Sequence, residues 1–286
     1  MMGNGMERIG VIGLGRMGSA MARKFAHEGL SVTGWTRSGR SVYGIAAAPD
    51  LCALVAASDT LVLSLYDDAA VAEMLDALLG HDLTGRLVIE TSTVVPRILQ
   101  ERGPALAERG AVMADAPVSG GPEMVMAGTC GIFIGGEPDP AARARVVLAH
   151  LTPRAVHVGP LGAGMVMKTI NNSMLQAYVA GLRDMLPLAR RAGIPLADVL
   201  SILNEGPAGL PMIRDRMPKI LGEDPTVGFP LSGIAKDNDV FRRVVEAHGL
   251  EAPILKLAGE AQQEAIGKGL GDHDPAAAIA ASYHDG

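Results

Sequence analysis

RIGVIGLGRMGSAMARKF, residues 8–25, decides the fold. Arg8–Ile12 is a short, β-rich apolar run that reads as a first, buried strand. Gly13, Gly15 and Gly18 follow in the spacing G-x-G-x-x-G, and Met17, Ala20, Met21 and Phe25 then recur on one side of a helix. Strand, tight turn and helix start are the context in which this glycine spacing binds a dinucleotide. The first glycine permits the turn, and the second lets backbone approach a pyrophosphate. The third lets helix pack against strand, and the helix N-terminus faces the anion. Gly13, Leu14, Gly15, Arg16, Met17 and Gly18 are thus the expected cofactor contacts. The competing reading is a glycine loop of purely structural use, which the position between strand and helix disfavours.

Downstream, Ser31–Trp35 reads as the second strand. An NAD-specific site wants Asp or Glu at its end, to hold the ribose 2′-hydroxyl. No acid lies between Ser31 and Gly44; the chain instead runs Trp35-Thr36-Arg37-Ser38-Gly39-Arg40. Arg37 can pair with a 2′-phosphate and stack on adenine. Thr36 and Ser38 offer hydroxyls, and Arg40 adds charge. These arginines also suit a solvated loop, but the missing acid favours NADP over NAD. Strand and helix signals then alternate: strand Thr60–Leu65, loop Tyr66-Asp67-Asp68 and a helix through Leu79; strand Arg86–Glu90, Thr91-Ser92-Thr93 and a helix from near Pro96; strand Ala111–Ala114. Such alternation predicts a parallel sheet with helices on both faces. Ligands then sit at the carboxyl ends of the strands, which places Leu65, Tyr66 and Thr93 near the cofactor. Each is equally compatible with loop chemistry: Asp67 and Asp68 suit helix caps, as does Thr93.

In DAPVSGGPEMVMAGT, residues 115–129, Ser119, Gly120 and Gly121 offer a hydroxyl and consecutive backbone N–H groups. They form either a small anion nest or a plain turn. Two short strands, Gly131–Ile134 and Ala155–Val158, flank a helix around Pro140–His150. After Pro160 the pattern changes. GAGMVMKTINN, residues 162–172, opens one long helix from Gly164 to about Arg191. Gly164, Lys168 and Asn172 share one face at i, i+4 spacing. That stripe suits a small polar substrate; the plainer reading is a lysine pointing into water. The helix is apolar on more sides than a surface helix needs, so it is expected to be central and to meet a partner chain. Pro187 is expected to kink it or end it early. Leu196–Asn204, Pro211–Leu221, Gly233–His248 and Pro253–Gly267 continue as helices. The expected organisation is an α/β dinucleotide-binding domain over 1–161 and an all-helical domain over 162–286.

Composition bounds the function. The 286 residues are 48% hydrophobic, with mean hydropathy +0.24 and net charge −6. A sizeable core follows, but no apolar run approaches the roughly 20 residues of a spanning helix. Residues 1–6 read as a loose leader without the marks of a secretory signal. Cys52 and Cys130 supply neither a disulfide framework nor metal-ligand spacing. A soluble, reducing, cytoplasmic setting is expected, without metal or membrane. The absence of a Lys/Arg run argues against nucleic acid. The 15 methionines read as core filling, and the seven histidines form no ligand cluster.

Four motifs in order carry a family: GLGRMG at Gly13–Gly18, DAPVSGG at Asp115–Gly121, GAGMVMKTINN at Gly162–Asn172, and Lys236-Asp237. With the tail Gly271-Asp272-His273-Asp274, the chain resembles the β-hydroxyacid dehydrogenases over essentially its whole length. The resemblance implies a Rossmann domain joined by a long helix to an all-α domain that builds homodimers or homotetramers. It implies Lys168 as the catalytic lysine, Ser119, Gly120, Gly121 and Asn172 as substrate contacts, and Thr93 and Lys236 as cofactor contacts. The reaction it implies is hydride transfer between NADP(H) and a small 3-hydroxy acid or its semialdehyde, a carboxylate substrate, with lysine as general acid and base. There are departures. Met124 and Val125 stand where the family often has Gly-Ala, Tyr66 where it often has Pro, and Glu123 beside the anion site would repel a substrate carboxylate if it pointed inward. Imine reductases share the architecture but usually carry Asp or Tyr in place of the lysine, so Lys168 and Asn172 argue against that chemistry. A non-catalytic nucleotide-binding module would have lost the lysine.

Overall fold

The computed structural model describes residues 7–285; the expected leader at 1–6 lies outside them. Two compact units divide the chain, Met1–Ile170 and Asn171–Gly286. The division falls inside a helix that begins in one unit and ends in the other.

The first unit holds β1 (Arg8–Ile12), α1 (Arg16–His27), β2 (Ser31–Trp35), β3 (Ala46–Ala47), α2 (Leu51–Ala57), β4 (Thr60–Leu63), α3 (Asp68–Leu78), β5 (Leu87–Glu90) and α4 (Arg97–Glu108). It continues with β6 (Val112–Asp115), β7 (Val118–Ser119), α5 (Pro122–Ala127), β8 (Gly131–Gly135), α6 (Pro138–Leu148), β9 (Ala155–Gly159) and the start of α7 (Ala163–Arg191). The sheet runs β3-β2-β1-β4-β5-β6-β8-β7, with β9 beside β8. Its buried strands point alternate residues into two cores. Ile9, Val11, Val62, Leu87 and Ile89 join α1 and α6 on one face. Ile12, Leu61, Leu63 and Val88 join α2, α3 and α4 on the other. This period of two, with a helix layer on each face, makes the sheet doubly wound. β1 pairs in parallel with β2 on one side and β4 on the other. The strand order therefore reverses there, at the switch point where open α/β sheets bind ligands.

The sheet is not parallel throughout, which corrects the expectation. β8 runs antiparallel to both β6 and β7. A parallel return needs a crossover of about a dozen residues or more, usually a helix of some length. Between Ser119 and Gly131 the chain has only the six-residue α5, so it turns back on itself. β3, α2, β7 and α5 also went unread in the sequence because each is too short to show a period.

The second unit holds the remainder of α7 with α8 (Leu196–Glu205), α9 (Pro211–Ile220), α10 (Leu231–Ala247), α11 (Pro253–Ala265) and α12 (Pro275–His284); a π-helical turn, Ile266–Leu270, follows α11. Leu182, Leu186, Leu200, Ile213, Ile220 and Ile279 form its main core. Pro187 neither ends nor shortens α7, which runs on to Arg191. Its neighbour Leu186 is locked in that core, and tertiary packing outweighs local propensity. The motif-like tail has a structural use: Asp274 caps α12 through Ala276 N–H and pairs with Arg216 at 3.2 Å. Among the described residues no helix is long and apolar enough to cross a membrane.

Candidate active site

The glycine turn between β1 and α1 shows why each glycine is there. Gly13 sits at φ +92°, and a Cβ on it would lie 2.2 Å from the Ser64 carbonyl oxygen. A Cβ on Gly18 would lie 1.9 Å from the Gly13 carbonyl oxygen. Gly15 differs: nothing stands within 4 Å of the Cβ position. The turn is thus closed by protein at its first and third glycines and open at the second, at the N-terminus of α1. An open backbone face with helix N–H groups behind it fits a dinucleotide pyrophosphate. Gly15, Arg16, Arg23, Arg40 and Glu123 line a cleft of about 300 Å³ beside this turn. Glu123 therefore stands among arginines.

At the end of β2, the Thr36 hydroxyl lies 3.4 Å from that of Ser38 and donates to the Arg40 carbonyl. Arg37 is engaged with protein: its Nη1 donates to both carboxylate oxygens of Glu73 on α3, at 2.8 and 2.6 Å. Sequence reasoning missed Glu73, which is far along the chain and lies on a different element.

The carboxyl ends of β4, β5 and β6 carry the polar centre. Ser92 Oγ accepts from Leu65 N–H at 2.8 Å and ties two loops together. Tyr66 is exposed. Asp67 is the cap of α3, accepting from Ala70 N–H. Thr93 does not cap α4, whose N-cap is Pro96. Instead its hydroxyl accepts from Lys168 Nζ at 2.6 Å. Lys168 is only 5% exposed, so it does not point into water.

Asp115 sets the helix that carries this lysine. Its Oδ1 accepts from Gly162 N–H at 2.6 Å and its Oδ2 from Met165 N–H at 2.9 Å. It thereby satisfies donors that the start of a helix leaves unpaired. The expected role of Gly164 changes accordingly. A Cβ there would lie 2.2 Å from the Phe133 carbonyl oxygen and 2.7 Å from Asp115 Oδ2. The group that approaches its backbone is the sheet, not a substrate. Glu90, the register partner of Asp115 on β5, is 1% exposed and takes a hydrogen bond from Ser92 N–H at 2.7 Å. Burial pushes Glu90 up to about 7; the Asp115 charge adds to this, while Ser92 and Lys168 oppose it. Burial likewise raises Asp115 to about 6 against its backbone hydrogen bonds. The sequence signal for Glu90 was available: an acid closing the otherwise apolar strand LVIE.

Ser119 ends β7, Gly120 has φ +135°, and Gly121 is the N-cap of α5. Met124 crowds Gly120, its sulfur 3.0 Å from a Cβ placed there, while Val125 is buried in the first core. In the second unit, Asn172 accepts a hydrogen bond from the Asn171 amide at 2.9 Å. Lys236 pairs with Asp237 at 2.9 Å on α10.

Comparison with known proteins agrees with the fold. Residues 8–159 match the family described as the NAD binding domain of 6-phosphogluconate dehydrogenase. Residues 162–282 match the family described as NAD-binding of NADP-dependent 3-hydroxyisobutyrate dehydrogenase. The NAD-dependent L-serine dehydrogenase of Pseudomonas aeruginosa is 28% identical, with 94% of this chain and 95% of that one covered. The 3-hydroxyisobutyrate dehydrogenase of the same organism is 31% identical over 71% of each. The solved structure of 3-hydroxyisobutyrate dehydrogenase from Mycobacterium tuberculosis with L-serine is 25% identical and superposes with a TM-score of 0.86, covering 96% of this chain and 98% of that one. The fold, the glycine turn and these relatives together define the class, an oxidoreductase that takes a nicotinamide dinucleotide. Within it, the chain belongs to the β-hydroxyacid dehydrogenase family, the NAD(P)-dependent hydroxyacid dehydrogenases.

Proposed function

We propose that the chain transfers a hydride between NADP(H) and a small 3-hydroxy acid or its semialdehyde, with Lys168 as general acid and base. The observation that carries this reading is the buried Lys168, hydrogen-bonded to Thr93 at the carboxyl end of β5. A buried ammonium is costly unless it is paired and hydrogen-bonded. Here Thr93 fixes its position, and the carboxyl group of the buried Glu90 interacts with it electrostatically. When bound, the nicotinamide dinucleotide supplies or accepts the hydride. In reduction, Lys168 Nζ gives its proton to the oxygen on which negative charge develops; in oxidation, the neutral amine takes the alcohol proton. Ser119, Gly120 and Gly121 are assigned to the substrate carboxylate, Asn172 to a substrate oxygen, and Lys236 to the cofactor.

The names of the relatives support the substrate class, because L-serine and 3-hydroxyisobutyrate each carry a hydroxyl β to a carboxylate. They divide on the cofactor, since one is named NAD-dependent and one family description says NADP-dependent. Arg37 and the acid-free loop after β2 support NADP(H) here. Self-association through the helical unit completes the proposal.

Lys168→Ala tests the catalytic role. Turnover on the best substrate from a panel of 3-hydroxy acids and semialdehydes should fall on the order of 10²–10⁴-fold, the range for a general acid–base group. NADPH affinity, read by cofactor fluorescence, should stay within about twofold of wild type. Lys168→Arg should rescue little, because a guanidinium does not release a proton near neutral pH. Near wild-type turnover in Lys168→Ala would end the catalytic reading of this residue.

A further inference from the structure

We propose that Glu73 is a specificity-determining residue that tempers the preference for NADP(H) over NAD(H), an inference that rests on the assignment of Arg37 to the 2′-phosphate. The loop after β2 carries no acid of its own, yet the folded chain brings one in. Glu73, on α3, places both carboxylate oxygens on Arg37 Nη1 at 2.6 and 2.8 Å. Both side chains are exposed, at 75% for Arg37 and 62% for Glu73. Nothing in the core requires the pair. Val71 and Leu75 already bury the inner face of α3.

The chemistry of the two cofactors then separates. A 2′-phosphate is a multiply charged anion that competes with the Glu73 carboxylate for the same guanidinium, and it also suffers the repulsion of that carboxylate. An exposed ion pair is weak, so the phosphate displaces Glu73, at some loss of affinity. A 2′-hydroxyl carries no charge and leaves the ion pair intact, so NAD(H) bears no such penalty. Specificity is a difference between two affinities, and a competing anion built into the protein changes only one of them.

The test is a double-mutant cycle on cofactor binding: wild type, Glu73→Gln, Arg37→Gln and the double variant, with NADPH and NADH titrated separately by nicotinamide fluorescence. Glu73→Gln should tighten NADPH binding by about threefold to tenfold and leave NADH within about twofold. Arg37→Gln should weaken NADPH by about tenfold or more, and in its background Glu73→Gln should change nothing. If Arg37→Gln weakens NADPH but Glu73→Gln leaves it unchanged or weaker, the role of Glu73 is overturned while the NADP reading stands. If Glu73→Gln tightens both cofactors equally, its effect is not on the phosphate and the proposal fails. If Arg37→Gln leaves NADPH untouched, the assignment of Arg37 fails and the role of Glu73 with it. Melting of the four proteins without cofactor should agree within a few degrees, since exposed substitutions shift stability little.

Discussion

Glu90 is a carboxyl group at the closed end of a buried strand, 1% exposed and beside a second buried acid. Its folded value lies near 7, raised by burial from an ordinary 4.5. In the unfolded chain it is ionised above about pH 4.5, while in the folded chain it keeps its proton to about 7. The native state therefore binds more protons across that window, and stability falls as pH rises through it. The stability that protonated Glu90 contributes is fully present below pH 4.5 and lost above pH 7. Glu90→Gln keeps the shape and an oxygen for Ser92 N–H but cannot ionise. Between pH 5 and pH 8 the variant should gain stability relative to wild type by on the order of 2–3 kcal/mol at most. Denaturant unfolding at the two pH values measures this. Equal pH slopes for the two proteins would show that Glu90 titrates at its ordinary value. The spacing of Gly164 from Lys168 and Asn172 was visible in the sequence, but the sheet that crowds it was not.

The turn from β1 to α1 holds three glycines with different reasons to be glycine. Gly18→Ala puts a methyl against the Gly13 carbonyl oxygen, at the 1.9 Å position. Strand and helix must part to admit it, so Gly18→Ala should destabilise the protein by on the order of 1–3 kcal/mol, as overpacking does. Gly15→Ala meets nothing, and Gly15 has φ −68°, which any residue adopts. It should melt within a few degrees of wild type yet bind NADPH at least about tenfold more weakly if, as proposed, the pyrophosphate approaches this open face. Thermal melting and cofactor titration together distinguish the two; a stable Gly18→Ala, or a Gly15→Ala with undiminished affinity, would contradict the geometry. The same turn shows what was legible beforehand. A five-residue apolar strand, a fixed glycine spacing and an amphipathic helix are local patterns, so the sequence discloses them. The 29-residue α7 was equally legible to its end at Arg191, although Pro187 does not cut it short as its presence suggested. The antiparallel β8 was not, because strand direction depends on a loop length that no periodicity encodes. The Thr93–Lys168 bond and the Arg37–Glu73 pair span 75 and 36 residues. Only the folded sheet brings such partners together.

Over the whole chain, α7 leaves apolar surface uncovered. Met174, Met185 and Leu188 are 64%, 61% and 67% exposed. With Gly181, which has nothing within 4 Å of its Cβ position, they recur at spacings of seven, four and three residues. Those spacings keep to one face of a helix. A soluble protein rarely leaves a contiguous apolar stripe in water without a partner, and a glycine within it lets another backbone come close. A second copy of the chain is the expected cover, since closed homo-oligomers are the commonest assembly of soluble proteins. Static light scattering at micromolar concentration should give a mass at least twice that of the chain. Replacing Met185 and Leu188 together by lysine should lower that mass towards the single chain. Helical circular dichroism should be retained, because both side chains already face solvent in one copy and α7 keeps its buried Leu182 and Leu186. A wild-type chain that scatters as a monomer would refute self-association outright. An unchanged oligomer in the double-lysine variant would move the interface off this stripe. A variant that loses its helicity calls for the single substitution Leu188→Lys, which adds one charge to the same face and should still loosen the assembly.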